Sequence, residues 1–282
     1  MDGRNTSNRR YTCNGNQNLK EYILNIIKLM MMKFSMNIPK RYVSILIIIY
    51  FTMTNTAFSQ ERPAFDKINT SAGVVEMHFI GHGSLMFKLN DYCIHIDPVR
   101  SMGNYDDLPK ADLILVTHEH YDHLDAKLIG ELRKQETVML CNENSASEVS
   151  WAEPMKAGDI RKVGNIGIEA LPAYNMVNMR APGQPFHPKG VGLGYVITIG
   201  DKRFYVAGDT ENTPEMKALK NIDVAFLPMN LPYTMTPEMV ADAAKAFKPE
   251  ILYPYHYGET NTDELVKLLS DTDIDVRIRN LQ

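Results

Sequence analysis

Six consecutive residues, His118-Glu119-His120-Tyr121-Asp122-His123, place three imidazoles and the Asp122 carboxylate within one short segment. Imidazole nitrogen and carboxylate oxygen are good ligands for zinc and similar divalent ions. In extended backbone, residues two apart point the same way, so His118 and His120 can converge on one ion. After a turn, Asp122 and His123 can face a second. A polar surface loop with coincidental histidines is the plainer explanation, and three distant segments argue against it. Asp209 follows Gly208 in Phe204-Tyr205-Val206-Ala207-Gly208-Asp209-Thr210, where a carboxylate can bridge two ions. His256 lies between the apolar run from Ile251 and Gly258, and His187 sits in Phe186-His187-Pro188-Lys189-Gly190. Taken singly, Gly-Asp-Thr is a common turn and His256 an ordinary half-buried histidine. Taken together, they matter: of eight histidines in the chain, five fall in these positions.

The elements that must position these groups can be read from periodicity. The runs 74–80, 85–89 and 92–96 predict three strands, separated by Gly81-His82-Gly83-Ser84 and Asn90-Asp91. The run 112–116 predicts a buried strand ending just before the hexad. A helix is expected over 124–135, with Leu124, Leu128, Ile129 and Leu132 on one face. The second half repeats the style, with strands expected at 166–171, 192–199, 203–206, 224–227 and 251–253. A helix over 237–247 has Thr236 as N-cap and Pro237 at its first position. Another is expected over 262–269. Two strand-rich halves, each finished by helices, predict two sheets packed face to face with helices outside.

The first 59 residues read differently. Lys33, Lys40 and Arg41 precede the apolar run 42–51, and Ala57-Phe58-Ser59 precedes Gln60. This is the order of a cleaved secretory signal. The apolar run is about half the roughly 20 residues a spanning helix needs, so no stable membrane anchor is expected. Met30-Met31-Met32 and Met36 offer alternative starts for the leader. Residues 60–282 then form a single domain, expected to be periplasmic or secreted. That segment holds 22 Lys and Arg against 32 Asp and Glu, a net charge of −10. Such a balance disfavours nucleic acid as a partner and leaves a small-molecule substrate. Cys93 and Cys141 sit in apolar runs, as buried thiols or as one disulfide. The sequence leaves the oligomeric state open.

The order His-x-His-x-Asp-His, Gly-Asp-Thr and a late strand-end histidine resembles the metallo-β-lactamase superfamily. Ile80-Gly81-His82-Gly83-Ser84 and Ile94-His95-Ile96-Asp97-Pro98 narrow the likeness to its small metal-dependent hydrolases, including ascorbate-6-phosphate lactonase-like proteins. The resemblance implies an α+β four-layer αβ/βα sandwich. It also implies one or two divalent ions, zinc first, with manganese or iron as alternatives. His118 and His120 would hold one ion, Asp122, His123 and His256 the other, and Asp209 would bridge them. Relatives often complete the first site with a histidine after a Pro-Ala strand end, but here that place reads Pro172-Ala173-Tyr174-Asn175. His187 is the expected substitute, and an incomplete first site is the alternative. His82 and Asp97 would brace the ligands or line the substrate site. Glu119 should point away, and histidine at 120 favours hydrolysis over the di-iron redox chemistry of other members. The implied reaction is attack by a metal-bound hydroxide on a small ester, lactone or phosphodiester, with Asp122 orienting the nucleophile. No Gly-x-Ser-x-Gly elbow supports a serine hydrolase. A non-catalytic metal-dependent binding protein of the cell envelope is the rival expectation.

Overall fold

The computed structural model describes residues 65–282; the leader and the cleavage site before Gln60 lie outside the described residues. The chain opens with a meander: β1 (Phe65–Thr70), β2 (Gly73–Gly81), β3 (Ser84–Leu89) and β4 (Tyr92–Ile96). It continues through β5 (Ala111–Val116), α1 (Ala126–Leu132), β6 (Arg133–Cys141), α2 (Glu143–Glu148) and β7 (Glu153–Pro154). These seven strands form one sheet in sequence order, antiparallel up to β4 and parallel from there on.

The second half follows the same plan. It runs through β8 (Ile160–Val163), β9 (Ile166–Ala173), the small hairpin β10 (Met179–Ala181) and β11 (Gln184–Pro185), β12 (Gly192–Ile199) and β13 (Lys202–Val206). Then come α3 (Pro214–Lys217), β14 (Val224–Pro228), α4 (Pro237–Phe247), β15 (Ile251–Tyr255), α5 (Thr262–Leu268) and β16 (Asp275–Val276). The second sheet is ordered β16-β15-β14-β13-β12-β9-β8, antiparallel from β8 to β13 and parallel from β13 to β16.

Alternation along β5 shows how the layers form. Leu113 and Leu115 join the core between the sheets, while Ile114 and Val116 pack outward with Leu128, Ile129 and Leu132 of α1. Across the sandwich, Phe87 stacks near Phe204 and Phe226, with ring centroids 5.5 and 5.8 Å apart, and Phe79 meets Tyr253 at 5.2 Å. Each fully buried ring of this kind contributes about 2–3 kcal/mol. On the far side, α4 buries Val240, Ala241, Ala244 and Phe247, and Phe247 meets Tyr205 edge-on. The layers are therefore α, β, β, α, as expected.

The helix expected over 124–135 is shorter. Asp125 caps α1 by accepting from the Leu128 amide, and the backbone turns extended at Arg133. The apolar face ends at Leu132, and the following run pairs with β5 instead, Leu113 opposite Val138 and Leu115 opposite Leu140. Thr236 caps α4 as expected, accepting from Met239. Cys93 and Cys141 are buried and unpaired, so the disulfide alternative falls away. Among the described residues no helix is long and apolar enough to cross a membrane.

Candidate metal centre

The ends of the parallel strands meet at one edge of the sandwich, the place where open α/β sheets hold ligands. The chain past β4 supplies Asp97, that past β5 supplies the hexad, and those past β13 and β15 supply Asp209 and His256. In the hexad, the His123 and Leu124 amides both donate to the His120 carbonyl, closing a tight turn. This turn lets six residues serve two groups of ligands. His118 and His120 converge, with His118 Nε2 3.0 Å from His120 Nδ1. Asp122 and His123 lie beyond the turn. Glu119 points away, accepting from Asn142 and Asn144 at 2.7 and 2.6 Å.

Asp209 is the hub. Its Oδ2 lies 3.3 Å from His187 Nε2, 3.5 Å from His256 Nε2 and 3.9 Å from His118 Nε2, and its Oδ1 lies 3.4 Å from His123 Nε2. Gly208 makes this placement possible. It has φ +66°, and a Cβ there would stand 2.6 Å from the Leu193 carbonyl. Asp122 Oδ2 lies 3.3 Å from His82 Nε2 and 3.6 Å from His256 Nε2. Two ligand groups result, His118, His120 and His187 on one side and Asp122, His123 and His256 with His82 on the other, and a third, His118, His123 and Asp209, links them. All nine residues singled out in the sequence stand at or beside this cluster.

The bracing around the ligands is explicit. Asp97 accepts from the Thr117 amide and hydroxyl, both at 2.7 Å, and from His123 Nδ1 at 2.8 Å. That fixes the His123 tautomer and turns Nε2 inward, the usual carboxylate–imidazole arrangement behind a metal ligand. Asn175 does the same for His187: its Oδ1 accepts from the ring Nδ1 at 2.9 Å and from the His187 amide at 2.7 Å. Asn175 Nδ2 donates to Glu211 and to the Tyr233 carbonyl, which settles the amide's orientation. His82, Asp97 and His256 all have left-handed backbone, φ +54°, +44° and +47°. Non-glycine residues in that region cost about 1–2 kcal/mol each and cluster at functional sites.

The charges agree with a cation site. Burial opposes a proton on His118, as does the neighbouring His123, and holds it well below the usual imidazole range. Burial also opposes a charge on His123, but the carboxylates of Asp209 and Asp97 outweigh it and raise the group to about 9. Desolvation would raise Asp209, yet His256, His123, His118 and His187 around it hold it well below the carboxylate range. Asp122 is held far below in the same way, burial being outweighed by bonds from His256 and His82.

The buried atoms His123 Nε2, His256 Nε2 and Asp209 Oδ1 have no hydrogen-bond partner among the described residues. Leaving buried polar atoms unpaired is costly, and a divalent ion satisfies them. Ligands held about 2.0–2.1 Å from a tetrahedral ion stand about 3.3 Å from each other, close to the spacings around Asp209. The donor set therefore fits divalent metal. A cleft of about 590 Å³ opens onto it, lined also by Tyr121, Arg180, Phe186, Asn230 and Tyr233.

Two supports, Asn175 and Glu211, were not expected from the sequence. Asn175 occupies the place of the absent histidine, a signal that was available. Glu211, two residues beyond Asp209, carried no signal of its own; it is fully buried and accepts from the Met176, Val177 and Asn178 amides.

An αβ/βα sandwich with a histidine–aspartate cluster at its strand ends defines a class of metal-dependent hydrolases. The sequence profile of the β-lactamase superfamily domain matches residues 76–256. A UPF0173 metal-dependent hydrolase from Enterococcus faecalis is 33% identical over 196 residues, covering 64% of this chain and 87% of that protein. One from Desulforamulus reducens is 29% identical over 203 residues, covering 65% and 85%. The crystal structure of a candidate metal-dependent hydrolase from Parabacteroides distasonis matches with TM-score 0.75 and 47% identity, covering 78% of this chain and all of that one. The chain belongs to the metallo-β-lactamase superfamily, and it is a metal-dependent hydrolase.

Proposed function

We propose that this hydrolase is exported and holds one or two divalent ions, zinc first, in the Asp209 cluster. We propose further that it cleaves a small ester or lactone, with a phosphodiester as the next choice. The observation that supports this most is the pair of ligand groups sharing Asp209 at the floor of an open cleft. A cleft of this volume suits a small molecule, within the roughly 300–1,000 Å³ of such sites.

When bound, the ions supply Lewis acidity and an acidified water at neutral pH. The chain's own residues do the rest. Asp122 stays ionised at the cleft wall and can accept a proton from the nucleophile or orient it. His82 positions Asp122, with Nδ1 3.0 Å from the Gln282 main-chain oxygen and Nε2 on the carboxylate. Phe186 and Tyr233, 5.1 Å apart edge-to-face, narrow the mouth and limit water.

The test is elemental analysis of purified protein, then a panel of esters, lactones and phosphodiesters. Ions present with turnover in one class supports the reading. Full ion content without turnover in any class refutes it and favours a binding protein. His118→Ala and His256→Ala should each lower ion content and activity; full occupancy in both would reject the assigned ligands.

A further inference from the structure

Ten large apolar side chains are strongly exposed among the described residues. Two of them, Tyr121 and Tyr233, line the metal cleft together with Phe186, and four more, Met176, Val177, Met179 and Leu231, lie in the adjoining segments. Single exposed apolar residues are ordinary, but a group gathered at one opening marks a binding surface. The segments are joined. Asn175 Nδ2 donates to the Tyr233 carbonyl at 2.9 Å, and Asn178 Nδ2 donates to the Thr234 carbonyl at 2.7 Å. Glu211 pins the amides of 176–178 from below. The rim is therefore held in place rather than free to fold over the site.

One cation stands among these groups. Arg180 is the sole Lys or Arg lining the cleft, carried on the hairpin β10–β11. Its guanidinium rests 5.7 Å from the centre of the Phe186 ring. Among the described residues it has no carboxylate partner. Residues 60–282 net −10, so beyond the proposed ions Arg180 is the cleft's own positive charge for an anion. A guanidinium presents a fork that matches a carboxylate or a phosphate.

We propose that the substrate is amphiphilic: an anionic group, carboxylate or phosphate, pairs with Arg180, and an apolar portion lies against Tyr121, Phe186 and Tyr233. This places the scissile bond over the Asp209 cluster and rests on reading the cleft as the hydrolytic site. Arg180 then selects substrate by charge, and the rim selects by apolar length.

The test is binding of equal-length probes to the full-length, zinc-loaded protein by calorimetry: octanoate, octyl phosphate and octanol, with acetate as the short control. At least one of the two anions should bind about tenfold or more tighter than octanol, the size of one charge-assisted contact. Arg180→Ala should remove that margin with ion content unchanged, and Arg180→Lys should keep part of it. Whichever anion loses more on Arg180→Ala identifies the group. Octanoate should bind about tenfold or more tighter than acetate, and Tyr121→Ser with Tyr233→Ser should narrow that gap. An anion margin that survives Arg180→Ala overturns the proposal, because the anions then bind the ions alone. Equal binding of acetate and octanoate overturns the apolar half. Failure of the hydrolytic reading would show separately, as absence of turnover, which binding does not measure.

Discussion

Glu211→Gln removes one charge and one acceptor from a site built for two. Oε1 accepts from Asn175 Nδ2 and the Asn178 amide at 3.1 and 2.6 Å, and Oε2 accepts from the Met176 and Val177 amides, both at 2.8 Å. A glutamine keeps one oxygen, so either orientation of its amide sets an NH₂ against two donors. Hydrogen bonds to a charged group contribute about 1.5–3 kcal/mol each, and an unsatisfied buried donor costs about 1–3. The side chains of Met176 and Val177 are exposed, so water can recover part of the loss. The net is about 2–4 kcal/mol. For a domain of this size that lowers Tm by about 5–15 °C. The damage should also reach the metal centre, because Asn175 is tied to Glu211 and orients His187. Thermal unfolding of chelator-treated protein measures the first effect, and elemental analysis after reloading measures the second. Expected is a lower Tm with reduced occupancy of the site holding His118, His120 and His187. A variant that melts within about 1 °C of the parent and reloads fully would refute the reasoning.

His187→Ala should lower ion content from near two to near one, with at least about a hundredfold loss of activity. Tyr174→Phe loses the hydroxyl's bond to Glu215 at 2.9 Å and the one from Lys189 at 3.2 Å, neither of them to a ligand, and should leave ion content unchanged; elemental analysis checks both. Burial would raise the Asp66 carboxyl, but bonds from Tyr253 and Arg279 outweigh it and hold it below its ordinary value. Its contribution is therefore present above about pH 4 and lost as pH falls further. Urea unfolding at pH 3 and pH 6 should separate the parent from Asp66→Asn at the higher pH alone. The proposed export predicts an N-terminus at Gln60, read by N-terminal sequencing of material from the cell envelope; uncleaved protein in the cytoplasm would rule this out.

The sequence by itself determined nine of the sixteen strands and picked out the candidate ligands, because both signals are local. The strands 92–96 and 192–199 match end to end, since a run of apolar residues between turn formers has few other uses. The spacing of His118, His120, Asp122 and His123 carries its own geometry once the following turn is allowed for. What failed locally failed where a neighbour decided: residues 133–135 continue a helical pattern, but Arg133 pairs with Ala111 of β5 and the parallel ladder resumes at 138–141.

Tertiary structure alone decided how the ligands are completed and held. His187 lies far along the chain from His118, and only the packing of the two sheets sets both beside Asp209. Asn175 and Glu211 are ordinary polar residues in sequence. They become supports because the turns past β9 and β13 bring them together, 36 residues apart in the chain, where a buried carboxylate can collect otherwise unpaired amides. Arg180 and the apolar rim gain meaning for the same reason. A side chain's type can be read from sequence, but whether its charge or its apolar surface finds a partner depends on which distant segment the fold brings against it.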